Sequence, residues 1–341
     1  PEGGAENIML ESVLALAEAD IHQAVITRPH NSFRLDCFEK VGIQTQTASF
    51  NRFWPFSTRR TIRKAIGDFQ PDIIEYWMGR AGQFAPAAYK SKSVAWYGGY
   101  YKRTRFAHCD WHVGLTKDLL RHIRDQGVSK DRSSIVHTYA DFAEASPVNR
   151  AELDTPEDAP VALALARLHE KKGLDTLLEA AAEMEGLYVW IAGDGPLEAS
   201  LKAQAKRLNI SSRIRFLGWR NDRGALLAAC DMVAFPSRYE PFGTVTVDAW
   251  AAGRPLIAAD AVGPAAYVEN EVSGLLIPKN DSQALSEALQ RVTTDKALAS
   301  RLVEGGRAAY QAQFTKSAFI RDSLALYEKI IATNKVELQR S

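Results

Sequence analysis

The chain has 341 residues, 46% of them hydrophobic and 24% charged, with a formal net charge of +1. That is the mix of an ordinary globular protein, and the length implies two domains of about 150 residues each rather than one core. It excludes a largely disordered chain and a collagen-like repeat, and no run of about 18 apolar residues is present to cross a membrane. Three distant cysteines (Cys37, Cys109, Cys230) fit a reducing compartment better than a disulfide framework. No secretory signal opens the sequence, so a cytoplasmic protein is expected.

The charge is unevenly spread. Residues 1–150 carry 20 Lys and Arg against 16 Asp and Glu, whereas residues 151–341 carry 22 against 25. Between residues 50 and 105, 11 basic side chains meet only Asp68, Asp72 and Glu75. A basic first half suits an anionic partner; it also suits a solvated face.

The chain opens with Gly3-Gly4-Ala5-Glu6 and an apolar helical pattern (Ile8, Leu10, Val13, Leu14, Leu16). A Gly-Gly turn into a helix ordinarily follows a strand, so a first strand is expected ahead of residue 1. Short buried strands are predicted at 22–27, 72–77, 93–97, 110–115 and 134–138, with helices between them, such as 117–126. Residues 146–160 gather Ser, Pro, Asp and Glu and read as a linker. Strands resume at 161–166, 188–192, 214–217, 232–236, 256–259 and 275–278, and residues beyond 282 read as helix. Strand–helix alternation of this kind implies parallel sheets covered on both faces. The expected fold is α/β, two doubly wound Rossmann-like domains facing a cleft, with boundaries at 1–150 and 151–315. A C-terminal helix, 316–341, is expected to pack back toward the first domain. In such folds ligands bind at the carboxyl ends of strands.

Three loops after strands of the second half carry charge and glycine. The strand at 161–166 ends in Arg167-Leu168-His169-Glu170-Lys171-Lys172-Gly173. Two cations there suit a diphosphate, Arg as a planar fork and Lys as a point charge. Ala192-Gly193-Asp194-Gly195-Pro196 follows the next strand, and its glycines permit close backbone approach. Pro236-Ser237-Arg238-Tyr239-Glu240-Pro241-Phe242-Gly243-Thr244 precedes a helix whose first amides, at Gly243, Thr244 and Val245, form an anion site. Asp248 follows on that helix. Singly, each feature also reads as an ordinary turn, surface cation or helix-start carboxylate.

Together, in this order, Ala164–Leu178, Ala192–Pro196, Phe216-Leu217-Gly218, Asp231–Thr244 and Ala249–Pro255 resemble the C-terminal half of the retaining glycosyltransferases of family four, group 1 transferases of GT-B fold that use nucleotide-diphosphate sugars. The resemblance implies that Arg167 and Lys172 hold the donor phosphates. It implies that Glu240, first carboxylate of a Glu-x7-Glu motif, contacts donor-sugar hydroxyls. The loop of Phe242, Gly243, Thr244 and Val245 would reach phosphate and sugar, with Gly193 also on the donor side. The second motif carboxylate, a ribose ligand, falls at Asp248, one methylene shorter than the usual Glu. Gly3 and Gly4 match a loop approaching the diphosphate from the first domain. Where the family commonly has His-Gly near the transferred sugar, this chain has Tyr97-Gly98.

The implied reaction moves a sugar from a UDP- or GDP-sugar to a glycan or lipid-linked acceptor, as in polysaccharide or lipopolysaccharide biosynthesis. No Asp-x-Asp occurs, so no metal and no cofactor are expected. A sugar-nucleotide epimerase-like enzyme and a non-catalytic sugar-nucleotide-binding subunit are the alternatives. Phe50-Asn51-Arg52-Phe53-Trp54-Pro55-Phe56, then Arg59, Arg60, Arg63 and Lys64, interleaves aromatic and basic side chains. That pattern suits peripheral contact of residues 50–64 with an anionic membrane, on its inner face, or a loop with a basic helix. Tyr100-Tyr101-Lys102-Arg103-Thr104-Arg105 is a second such run. No nucleic-acid signature accompanies either.

Overall fold

Runs such as Val161–Leu165 (VALAL) are apolar at every position because both faces of the strand are covered, the signature of a parallel sheet sandwiched by helices. The computed structural model describes residues 4–29, 32–51, 53–87, 90–141 and 145–340. The chain divides into two compact units: residues 1–138 with 316–341, and residues 139–315. The division falls ahead of the expected boundary at 150.

In the first unit, α1 (Gly4–Glu18), β1 (Ala24–Thr27), α2 (Ser32–Lys40) and β2 (Gln44–Thr47) lead to α3 (Phe56–Phe69) and β3 (Ile73–Trp77). There follow α4 (Met78–Gly82), β4 (Lys92–Tyr97), β5 (Trp111–Gly114), α5 (Lys117–Asp125) and β6 (Ser133–Ile135). The strands form two parallel sheets, β1-β2 and β3-β4-β5-β6. Strand β2 was not expected, because its sequence, QTQT, carries no apolar residue and it lies at a sheet edge. Trp77 and Trp96 stack across β3 and β4 with centroids 4.3 Å apart and planes 8° from parallel.

In the second unit, β7 (Val161–Leu165), α6 (Leu174–Ala182), β8 (Tyr188–Ala192), α7 (Glu198–Arg207) and β9 (Ile214–Gly218) run to α8 (Arg223–Ala229) and β10 (Met232–Phe235). Then come α9 (Thr244–Ala251), β11 (Leu256–Ala259), α10 (Val262–Ala265), β12 (Leu275–Ile277), α11 (Ser282–Thr294) and α12 (Lys296–Gln313). The six strands are parallel, in the order β12-β11-β10-β7-β8-β9. The chain winds outward from β7 to β9, returns, and winds outward again from β10. Strands β7 and β10 therefore flank the topological switch point, where open α/β sheets bind ligands.

Residues 145–160 are not a free linker. The Arg150 guanidinium donates to the carbonyls of Ala229 (2.7 and 3.0 Å), Glu157 (3.0 Å) and Ala159 (2.9 Å) and pairs with Asp231 at 3.0 Å. Trp190, fully buried on β8, donates to Thr155 Oγ1 at 3.0 Å. The segment that read as linker is thus fastened across the amino-terminal ends of the central strands β7 and β10 and onto β8.

The last helix, α13 (Lys316–Arg340), belongs to the first unit. Tyr327 donates to Glu75 Oε1 on β3 at 2.8 Å, and Lys316 pairs with Glu18 of α1 at 2.9 Å. Burial pushes the Glu75 carboxyl above the usual carboxylate range, against the hydrogen bonds from Tyr327 and Trp77.

Candidate active site

The loops after β7 and β10 meet at the switch point of the second unit, and glycine makes the meeting possible. Gly173 has φ +63°, and a Cβ there would stand 2.2 Å from the Pro236 carbonyl oxygen. The Arg238 and Tyr239 amides both donate to the Lys171 carbonyl, at 2.8 and 3.3 Å. Arg238 adds a side-chain clamp: its guanidinium donates to the Glu170 carbonyl (2.7 Å), Asp175 (2.6 Å), Thr176 (3.1 Å) and Asn280. The hydrogen bond to Asp175 holds the Arg238 pKa above its ordinary value.

This clamp brings two of the sequence-predicted residues together. Lys172 Nζ lies 2.5 Å from Glu240 Oε2, with side chains 25% and 16% exposed. Lys172 is thus the half-buried partner of a carboxylate rather than a free cation. Arg167 is exposed, and among the described residues it is in no ion pair. Lys171, the loop's other exposed cation, lies over the Tyr239 ring at 4.5 Å, whereas Arg167 has neither an ion-pair nor a ring partner among the described residues.

The β10 loop is also fixed from below. Gly243, φ +90°, is the N-cap of α9, and a Cβ on it would press within 2.9 Å of the Phe235 ring. The Tyr267 hydroxyl, whose pKa burial raises well above its ordinary value, donates to the carbonyls of Phe242 and Gly243. The Gly263 amide donates to the Glu240 carbonyl at 2.8 Å, and a Cβ at Gly263 would strike the Phe242 carbonyl at 2.4 Å. Thr244 and Val245 therefore open α9 beside Glu240, amides forward.

Other expected residues fall differently. The Phe242 side chain is buried in a ring cluster with Tyr267 and Phe314, so only its backbone belongs to the loop. Asp248 is buried on α9, with Arg223 Nη1 4.0 Å away. Burial raises its pKa and Arg223 opposes the rise. Gly193 and Gly195 serve close packing: a Cβ would lie 2.1 Å from the Ala166 carbonyl at Gly193 and 2.5 Å from that of Leu168 at Gly195. Gly4 is the first residue of α1, and Gly3 lies outside the described residues.

Tyr97 is fully buried. Its hydroxyl and His112 Nδ1 share a hydrogen bond of 3.1 Å, and its ring packs on Phe106. Burial, with Arg103 assisting, drives His112 down to about 4, and burial lifts Tyr97. The pair is a neutral hydrogen bond inside the first unit.

A family model described as glycosyl transferases group 1 matches residues 146–309, which lie wholly in the second unit. LpsD of Rhizobium meliloti (strain 1021), a lipopolysaccharide core biosynthesis glycosyltransferase, is 31% identical over 337 residues, 97% of this chain and 96% of its own. The chain belongs to the group 1 glycosyltransferases. LpsE of the same organism, likewise a lipopolysaccharide core biosynthesis glycosyltransferase, is 31% identical over 322 residues, 93% of each chain. Among solved structures, Anabaena HepE in complex with UDP and glucose superposes with a TM-score of 0.83 at 19% identity over 96% of each chain. Sucrose-phosphate synthase of Thermosynechococcus elongatus gives 0.81 at 23% identity, over 97% of this chain and 94% of that one. These likenesses place the glycosyltransferase in the GT-B fold.

Sequence reading missed Arg238 in this glycosyltransferase, because its role lies in four partners spread over residues 170–280. The signal available was an Arg inside a loop already marked by Pro236 and Glu240. Gly263 carried no signal, since its neighbours Val262 and Pro264 read only as a turn.

Proposed function

We propose that the chain moves a sugar from a nucleotide-diphosphate sugar to a saccharide acceptor of lipopolysaccharide or a related glycan, with retention at the anomeric carbon and without a metal ion. The observation that carries this reading is the Lys172–Glu240 pair at the switch point of the second unit, with Arg167 exposed just past the carboxyl end of β7. The names of LpsD and LpsE support a lipopolysaccharide acceptor, and the UDP bound by HepE supports a UDP-sugar donor.

The residues support the chemistry as follows. Breaking the bond between the anomeric carbon and the phosphate oxygen leaves charge on the diphosphate. Arg167, Lys172 and the amides of Gly243, Thr244 and Val245 are placed to stabilise it. The acceptor oxygen bonds the same face of the carbon, and its proton passes to the departing phosphate oxygen. No protein base is required, so Glu240 is assigned to donor-sugar hydroxyls rather than to nucleophilic attack. Asp248 is assigned to the ribose hydroxyls, with Arg223 as its counter-charge.

The acceptor side belongs to the first unit. Phe53, Trp54 and Phe56 are 92%, 68% and 68% exposed, and Phe56, Arg59, Arg60, Arg63 and Lys64 share one solvent-facing side of α3. Thr58, Ile62 and Ile66 occupy the buried side. No helix among the described residues is long and apolar enough to cross a membrane. This face supports peripheral attachment to an anionic bilayer from the cytoplasmic side, where a lipid-linked acceptor is met.

The test is NMR of UDP-glucose, UDP-galactose and GDP-mannose incubated with the protein, EDTA and a deacylated lipopolysaccharide core. Transfer with an α-linked product is expected. An inverted product, dependence on added magnesium or manganese, or interconversion of donor sugars without transfer would each contradict the reading.

A further inference from the structure

The two basic-aromatic runs of the first half converge on a single cavity. It measures about 660 Å³ and is lined by Arg28, Arg80 and Arg105, by the carboxamides of Asn51 and Gln83, and by Phe53. No carboxylate lines it, and among the described residues none of the three guanidiniums is in an ion pair. Asn51 Oδ1 accepts the Phe53 amide at 2.9 Å, which leaves its NH2 as the group to offer. The lining therefore presents donors and positive charge, with one exposed aromatic ring.

The cavity is built with unusual backbone. Phe50 lines it with φ +48°, and Met78, two residues before Arg80, has φ +69°; both are left-handed values that non-glycine side chains rarely adopt and that cluster at ligand sites. Met78 starts α4, which carries Arg80 and leads to Gln83. Gly79 lets Arg105 lie across that helix, since a Cβ there would stand 2.6 Å from Arg105 Cδ. Gly82 does the same for Phe106, whose ring would meet a Cβ at 2.2 Å. Phe50 is tied down by its amide, which donates to Thr58 Oγ1 on α3 at 3.1 Å. The three arginines, from the end of β1, from α4 and from residues 103–106, are thus held by separate elements around one space.

We propose that this cavity binds an anionic group, a phosphate or carboxylate, carried on the saccharide acceptor. The volume suits one or two sugar rings. Guanidinium forks suit a tetrahedral or planar oxyanion better than ammonium groups would. The Phe53 ring offers a flat surface to the C–H face of a pyranose. The inference rests on the glycosyltransferase reading and adds to it an acceptor class: charged sugars, recognised in the first unit, apart from the donor phosphates.

Calorimetry with mannose 6-phosphate, galacturonic acid and mannose tests it, on the wild type, on R80Q/R105Q and on R167A. The two charged sugars are expected to bind the wild type at least tenfold more tightly than mannose. R80Q/R105Q should weaken them at least tenfold while keeping the wild-type unfolding temperature and UDP affinity. R167A should weaken UDP and leave the charged sugars unchanged. Equal binding of charged and neutral sugars would overturn the proposal. So would charged-sugar binding that survives R80Q/R105Q and falls in R167A, which would place it at the donor loops. If R80Q/R105Q instead abolished attachment to phosphatidylglycerol vesicles with sugar binding intact, the cavity would be a headgroup site and the proposal would fail. Loss of UDP binding in the wild type alone would count against the donor site and not against this cavity.

Discussion

Lys172 and Glu240, 68 positions apart in sequence, are joined by an ion pair of 2.5 Å across the β7 and β10 loops. The cation that the proposed function assigns to a phosphate is thus already partly neutralised by the carboxylate it assigns to sugar hydroxyls. Glu240→Gln removes that competition. It should tighten UDP or GDP binding by up to about tenfold, the scale of one charge-assisted bond. It should also lower transfer at least tenfold, because one of the two carboxylate oxygens that would accept hydrogen bonds from sugar hydroxyls becomes an NH2 donor and the charge is lost. Calorimetry and turnover assays read the two effects separately. Weaker nucleotide binding with unchanged turnover would show that the pair is only structural.

Gly173→Ala should destabilise the second unit by about 1–3 kcal/mol, because the new Cβ meets the Pro236 carbonyl at 2.2 Å and a φ of +63° is unfavourable for Ala. Arg238→Ala should cost little stability, since its partners are partly exposed, yet weaken nucleotide binding by loosening the same two loops. Urea unfolding alongside nucleotide titration checks both. A stability loss confined to Arg238→Ala would invert the account.

How far the sequence led depended on the kind of signal. The second-unit strands were legible because burial on both faces leaves continuous apolar runs, as in VALAL and YVWIA. The loops after β7 and β10 stood out because Arg167, Lys172 and Glu240 follow strand ends, and the structure brings Lys172 and Glu240 together. Strand β2 was not, because QTQT pairs only through its backbone with β1. Nor was the burial of Tyr97, whose identity at a family His position invited a functional role. Its partner His112 lies on the neighbouring strand, a relation of register that no local pattern encodes. The cavity of Arg28, Arg80 and Arg105 was visible only as an excess of basic residues.

The His112 pair carries a pH signature. The ring titrates at about 4 in the fold against 6.5 ordinarily, so the unfolded chain binds the extra proton first. Its contribution is fully present above pH 6.5 and is lost as pH falls toward 4, at up to about 1.4 kcal/mol per pH unit. Glu75 and Asp248, whose raised values favour the protonated fold, act in the opposite sense. His112→Gln should therefore lose less stability than the wild type between pH 6.5 and 4.5 in urea unfolding. Parallel pH profiles would contradict the assignment.

The exposed side of α3 predicts salt-sensitive membrane attachment. Each cation near an anionic leaflet contributes about 1 kcal/mol, and Arg59, Arg60, Arg63 and Lys64 are all exposed on that side. Co-sedimentation should favour phosphatidylglycerol over phosphatidylcholine vesicles and fall with salt. Changing the four to Ser should abolish it. Binding indifferent to lipid charge or to the four substitutions would make this a solvated face.

In the proposed function, the loops after β7 and β10 cradle a nucleotide diphosphate. The most direct measurement is calorimetry of UDP and GDP, in EDTA, against the wild type and Arg167→Ala. Arg167 is exposed and in no ion pair among the described residues, so its removal should leave the unfolding temperature unchanged. The account predicts that the wild type binds at least one of the two nucleotides and that Arg167→Ala weakens that binding at least tenfold, about 1.5–3 kcal/mol for a charge-assisted hydrogen bond. Binding of neither nucleotide, or an equal dissociation constant in wild type and variant, would contradict it.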